Sequence, residues 1–189
     1  AANGLLYPSD VTLAKYGANR MLSPTLKQDT GVAWYPKSEP TVAFQSGSTI
    51  NVGANDDELA NAVEQAKSGD TILLSDGKYN VTHILNINKT LTFKAVNPHK
   101  AIIRFERPPL FEIQNDGNLQ LDGLVINGSN SPDAAGNSVV RTRKWGMLTN
   151  YRFDMTNSIV EQLNVNHAFD FFDSGDRALS DAITVIHSQ

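Results

Sequence analysis

Leu119-Gln120-Leu121-Asp122-Gly123-Leu124-Val125-Ile126-Asn127 is the stretch from which the fold can be read. Apolar and polar residues alternate along it, and an Asn closes the run. Ser158-Ile159-Val160-Glu161-Gln162-Leu163-Asn164-Val165-Asn166 reads as a second copy, with Leu124 matched to Leu163, Ile126 to Val165 and Asn127 to Asn166. Ala182-Ile183-Thr184-Val185-Ile186-His187-Ser188 is a looser third. A short strand closed by a polar turn and returning at wide intervals marks a solenoid. No repeat of a solenoid buries its inner face alone, so each coil must stack on a neighbour. Leu124 and Leu163 lie 39 residues apart, which suggests about two coils.

The bulk composition narrows the function classes. Hydrophobic residues make up 40% and charged residues 19% of 189, enough for a packed core. The formal net charge of −4 argues against a nucleic-acid partner, which needs a concentrated basic surface. There is no cysteine, hence no disulfide and no thiolate metal site. No apolar run is long enough to cross a membrane. Ala1-Ala2-Asn3-Gly4 has neither the charged nor the apolar region of a signal peptide, which is therefore absent or already removed.

Residues 1–40 differ from the rest. They hold Pro8, Pro24, Pro36 and Pro40, and proline cannot donate to a sheet ladder. They read as an extended linker, though Leu5, Leu6, Tyr7, Trp34 and Tyr35 call for something to pack on. After a strand-like run at 49–52 comes the clearest helix, over 55–67. Asn55 and Glu58 have capping-box spacing, Leu59, Ala62, Val63 and Ala66 form one apolar stripe, and Gly69 suits a left-handed stop. This helix would cover the otherwise exposed first coil. The period then changes to two. Strands are expected at 71–74, 85–87, 91–95, 101–105 and 110–113, with a turn over 75–79. No helix covers the last run at Ile186, so that end reads as open and the 189 residues as part of a longer protein. A β-sandwich is the rival architecture, but hairpin dipeptides are rare between the strands.

Gly69-Asp70-Thr71-Ile72-Leu73-Leu74-Ser75-Asp76-Gly77-Lys78-Tyr79 resembles the entry sequence of right-handed parallel β-helix enzymes. Leu91-Thr92-Phe93-Lys94-Ala95 with Asn97-Pro98, and Leu121-Asp122-Gly123-Leu124 with Asn127-Gly128, continue the likeness. Together they resemble family 6 polysaccharide lyases, the alginate lyase and chondroitinase B group. The likeness covers 55–128 well and 129–189 loosely. Asn3-Gly4-Leu5-Leu6-Tyr7-Pro8 and Asp29-Thr30-Gly31-Val32-Ala33-Trp34 resemble the tail that closes a catalytic β-helix in that family. The implied organisation is a 1–40 tail from a preceding β-helix, then 41–189 as the N-terminal part of a second one. The implied fold class is all-β: a right-handed parallel β-helix with an N-terminal capping α-helix.

The resemblance also implies chemistry. Uronate lyases work by β-elimination, with a base, a cation on the carboxylate and an acid for the leaving oxygen. The family uses a Lys base, an Arg acid and, in many members, Ca²⁺ held by Asn and Glu. None of these residues can be matched to a position here, so catalytic residues are unassigned, and neither a metal site nor a cofactor is expected in this segment. Ca²⁺ would belong to the parent enzyme. Asp170, Asp173 and Asp176 read as a solvated turn. His83, His99, His167 and His187 lack metal-ligand spacing and read as structural. The sequons at Asn80 and Asn88 read as accidental, and Asn118, Asn127, Asn157, Asn164 and Asn166 as residues that bond turns and stack between coils.

Arg141, Arg143, Lys144 and Trp145 are the candidate substrate-binding residues. Arg grips a carboxylate with two parallel hydrogen bonds, and Trp stacks on a sugar face. Alternation puts Arg141 and Arg143 on one side of an extended segment. The plain rival is a charged, solvated strand edge. They follow a Gly/Ser/Asn/Pro-rich stretch, 127–138, that reads as a long loop.

The expected function is an accessory segment of a secreted or periplasmic bacterial lyase acting on alginate. It would stabilise the catalytic helix, extend the groove or mediate a homodimer. Its partners would be an acidic polysaccharide and the rest of the parent enzyme or a second β-helix domain. One alternative is a non-catalytic carbohydrate-binding or adhesin-like β-helix. Another is a pectin-degrading β-helix enzyme, whose hydrolases would need clustered Asp carboxylates.

Overall fold

Alternating short strands with polar corners wind into stacked coils in the computed structural model, which describes residues 41–55, 58–164, 166–167 and 169–189. The reading of 1–40 as a tail lies outside these residues. The described coils fall in one compact unit, Val42–Gln189. The strands are β1 (Thr49–Val52), β2 (Thr71–Leu74), β3 (Gly77–Val81), β4 (Leu85–Ile87), β5 (Thr90–Ala95), β6 (Ala101–Phe105) and β7 (Phe111–Ile113), then β8 (Asn118–Asp122), β9 (Val125–Asn127), β10 (Asn137–Thr142), β11 (Leu148–Thr156), β12 (Ile159–Glu161), β13 (Phe169–Asp173) and β14 (Ala178–Ile186). The single described helix, α1, spans Glu58–Gln65.

Every strand pair is parallel. Sheet one runs β1-β2-β5-β8-β11-β14, sheet two β12-β9-β6-β3 and sheet three β13-β10-β7-β4. Each turn of chain therefore visits the three sheets in order, which is a parallel β-helix. The inward rows are apolar and in register. Ile72, Phe93, Leu121 and Met155 form one stack, and Leu91, Leu119 and Phe153 another. All of these are buried. From the third sheet, Phe111 meets Phe93 edge-on with centroids 5.0 Å apart, the favoured aromatic geometry.

The helix covers the first coil as its stripe predicts. Leu59, Ala62, Val63 and Ala66 are buried and join the core with Val52. At its start, the Glu58 carboxylate accepts from the Gly53 N–H (3.0 Å) and the Asn55 amide (2.8 Å), a variant of the expected capping box. At its end the Lys89 ammonium donates to the carbonyls of Val63 (3.1 Å), Glu64 (3.2 Å) and Ala66 (2.8 Å). A cation is favoured where orphan carbonyls gather. Gly69 has a left-handed φ of 95°, but it sits in a turn over 67–70 rather than directly after the helix.

The repeat register differs from the sequence alignment. Val125, Ile126 and Asn127 pair with Ile159, Val160 and Glu161, one coil on. The Leu124 N–H reaches Ser158 Oγ, 34 residues away, so Leu124 and Leu163 are not equivalent. Alternation alone cannot detect such a slip between two apolar runs. The third run does belong to the series, with Ile183 beside Phe153 and Val185 beside Met155.

Three further readings change. Residues 77–79 open β3 rather than completing a turn. Asn137 and Ser138, the end of the presumed long loop, open β10. Phe169–Asp173 is β13 rather than a solvated turn, because its phenylalanines pack on Tyr151 and Phe153.

The asparagines act as corner residues. Buried Asn118 donates to Thr90 Oγ1 (3.0 Å) and accepts from the Arg152 N–H (2.8 Å), tying three coils. Gly123, Asn157 and His187 share a left-handed backbone one coil apart at the corner after sheet one.

Candidate functional site

β10 delivers Arg141 to the outer face of sheet three and then ends. In register there, Asn86 neighbours Glu112, Glu112 neighbours Arg141, and Arg141 neighbours Asp173. Arg141 Nε donates to Glu112 Oε2 at 2.6 Å, and its Nη2 reaches the same oxygen. Gln114 donates to Glu112 Oε1 and to Asn86 Oδ1 (3.2 Å). The Arg141 and Glu112 side chains are only 15% and 14% exposed, so this cation already has its carboxylate. A half-buried paired Arg costs heavily to unpair. Arg141 therefore serves the sheet.

Arg143 starts a tight turn to β11. Its N–H joins the Ile113 carbonyl (2.9 Å), and its Nη2 donates to the Met147 carbonyl at 3.2 Å. The guanidinium occupies the space where a Cβ of Gly146 would project, and Gly146 has a φ of 83°. The left-handed φ favours glycine there, whereas the guanidinium could swing aside. Arg141 and Arg143 thus do not share a face: one lies on the sheet and the other is folded into the turn. Lys144 projects into solvent, and Trp145 is 86% exposed. Met147 is exposed too.

The next coil extends this edge. The Leu148 N–H bonds the Arg177 carbonyl (3.1 Å), and the Gly175 N–H bonds Thr142 Oγ1 (2.8 Å). The turn carrying exposed Arg177 therefore stacks on the turn carrying Lys144 and Trp145. Arg177 was not singled out from sequence, because its place depends on coil register. Asp170 and Asp173 lie on β13 and Asp176 in its following turn.

A second polar cluster joins the loops after β9 and β12. His167 Nδ1 lies 2.7 Å from Asp133 Oδ1, and Asn166 donates to Asp133 Oδ2 and Asn164 Oδ1, both at 3.1 Å. The hydrogen bond from His167, with that from Asn166, holds the Asp133 carboxyl below the ordinary carboxylate range. Sequence could not reveal this pair, because its partners are 34 residues apart on irregular loops. His99 Nε2 lies 2.7 Å from the Asn157 carbonyl and braces a corner. Among the described residues, no three His, Asp or Glu side chains converge as a metal site.

No family model and no curated protein matches the chain. Solved structures do. A structure of the PL6 family alginate lyase AlyGC carrying a single Arg-to-Ala substitution is 46% identical, with a TM-score of 0.77. It is matched over 100% of this chain and 26% of that one. A second structure of AlyGC is 43% identical, with a TM-score of 0.71, over 97% of this chain and 26% of that one. The chain thus spans about a quarter of the length of the lyase that it matches. With 43–46% identity along its length, the chain belongs to the PL6 family.

Proposed function

We propose that this chain is an accessory β-helix segment of a polysaccharide lyase that cleaves alginate by β-elimination. The supporting observation is the 46% identity to a PL6 alginate lyase along the whole chain. β-Elimination needs a base, a cation on the uronate carboxylate and an acid for the leaving oxygen. The cations Lys94 and Arg141 are instead paired with Asp122 and Glu112, and Lys89 caps the helix. These ties support a structural rather than a chemical role for the described coils. Secretion to the periplasm or beyond suits a polymer too large to enter the cell. No described helix is long and apolar enough to cross a membrane.

The turn carrying Lys144 and Trp145, with Arg143 beneath it, is the proposed polysaccharide contact, and Arg177 extends it. An exposed indole between cations suits a sugar face that carries a carboxylate. The same observation favours the second reading, a carbohydrate-binding β-helix in a protein without lyase activity.

Incubation with alginate, read by the ultraviolet absorbance of the unsaturated product, tests both. The 189-residue chain is expected to release no product, whereas a parent protein containing it does. Robust turnover by the chain alone would remove the accessory role. Alginate affinity with no turnover by the parent would establish the second reading.

A further inference from the structure

Arg104 is an arginine whose charge has no counterpart. It lies on the outer face of β6, in register between Asn80 on β3 and Asn127 on β9. Among the described residues it forms no salt bridge and no side-chain hydrogen bond; Arg143 and Arg152 share its unpartnered buried Nε, but each of those bonds a carbonyl through Nη2. The neighbouring arginine on sheet three, Arg141, shows what a satisfied guanidinium looks like in this fold. Its Nε is closed to any ligand, but its terminal nitrogens are neither bonded nor buried, and an ionised group so placed calls for an explanation.

The neighbours of Arg104 narrow that explanation. Asn127 is fully committed. Its amide donates to Glu161 Oε1 (2.8 Å) and Gln162 Oε1 (3.1 Å), and its oxygen accepts from the Ser129 N–H (3.0 Å). Asn80 is exposed and, among the described residues, makes no side-chain hydrogen bond. Lys78, two residues earlier on β3 and on the same face, is exposed as well. Adjacent strands stand about 4.8 Å apart. The guanidinium of Arg104 and two exposed donors, Asn80 and Lys78, thus gather on one side of Asn127. Beyond it, the Glu161 carboxylate caps the row as an acceptor. Such a row suits a ligand with one carboxylate and flanking hydroxyls.

We propose that Arg104 and Asn80 form a carboxylate subsite on the outer face of sheet two, with Lys78 beside it, which holds a uronate residue of an acidic polysaccharide. The polymer class rests on the function proposed above; the subsite rests on the unpaired guanidinium. The subsite lies on a different sheet from the Trp145 turn, so the two would be independent contacts.

Calorimetric titration of the full chain with alginate oligosaccharides at low salt tests this. Arg104→Gln is expected to weaken binding about tenfold, the scale of a lost charge-assisted contact. Arg104→Lys should recover part of the loss, because it keeps the charge without the planar fork. Asn80→Ala should cost less. Carboxyl-reduced oligosaccharides should bind wild type and Arg104→Gln equally. Thermal midpoints show that the variants are folded. Binding by Arg104→Gln equal to wild type, while Trp145→Ala weakens it, overturns the subsite and leaves the alginate reading intact. Conversely, indifference to alginate with Arg104-dependent binding of polygalacturonate supports the subsite and overturns the alginate reading. No binding of either polymer overturns both.

Discussion

Asp70 holds two segments of chain together. Its carboxylate accepts from the Ser48 N–H at 2.7 Å and the Lys67 N–H at 2.8 Å, joining the approach to β1 to the end of the helix region. The Lys67 hydrogen bond leads in keeping its pKa below the ordinary carboxylate value, against an opposing desolvation. A lowered folded pKa means stability that is present above the unfolded value and lost as pH falls through the folded one. Asp70→Asn should therefore cost about 1–3 kcal/mol at neutral pH. In urea titrations, the gap from wild type should close as pH drops below about 3.9. A gap that is constant down to pH 2 would contradict the role of the charge. Close approach of backbones is the other residue-level demand. A Cβ on Gly117 would run into the Ile87 carbonyl of the preceding coil, whereas one on Gly136 would meet open space. Gly136→Ala pays only for its left-handed φ of 76°, about 1 kcal/mol. Gly117→Ala should lower the thermal midpoint well beyond that, and equal midpoints for the two variants would refute the contact. Gly69-Asp70-Thr71 thus has a physical meaning that the sequence could only signal by resemblance: a left-handed turn, a backbone-bonding carboxylate and a strand start.

Elements in this fold are held by neighbours more than by propensity. The eight residues of α1 are too few for an independent helix, and its carbonyl end depends on Lys89 from the corner before β5. Lys89→Met leaves those carbonyls without their charged donor. A loss of about 1–3 kcal/mol is expected. Hydrogen exchange should rise selectively in 59–66. Exchange that rises uniformly would place the effect elsewhere. On sheet three, Glu112→Ala takes from the largely buried Arg141 its bonded carboxylate, leaving only Asp173 beside it, which should cost about 1–3 kcal/mol. Replacing both by leucine should restore much of that loss, and a double variant as unstable as the single one would refute the pairing. The helix could be read from its 3.6-residue stripe, and most strands from alternation. β11 went unread, although Tyr151, Phe153 and Met155 alternate along it and all three are buried. β13 was hidden by its aspartates, because burial against Tyr151 and Phe153 is a tertiary fact. The Arg141–Glu112 pair was hidden for the same reason: its partners are 29 residues apart, and only the coil register brings them together.

Coil length explains why the architecture was easier to read than the site. Asn118 meets Thr90 28 residues back, whereas Arg152 meets Asn118 34 residues back. Loops such as 128–136 enlarge one coil without changing the inward stack. The apolar rows therefore remain visible in sequence, while the outward partners drift out of any fixed spacing. That drift produced the slipped alignment of Leu124 with Leu163, and it kept Arg104, Arg177 and the Asp133–His167 pair from view. Stacked coils also make stability a nearest-neighbour property. Leu91, Phe93, Leu119 and Leu121 have a strand on each side and are fully buried. Among the described residues β14 pairs only with β11, and its Ile183 and Val185 are 47% and 51% exposed. Local opening follows buried contacts and paired backbone, so protection should be graded along the coil axis. Hydrogen exchange of the 189-residue chain should be slowest in β5 and β8, faster in β11 and fastest in β13 and β14. Met155→Ala, in the stack beneath Val185, should raise exchange in β14 and its neighbours by more than in β2 and β5. A single cooperative opening, with every strand exchanging at one rate in wild type and variant alike, would show that the coils unfold as one unit and would refute the nearest-neighbour account.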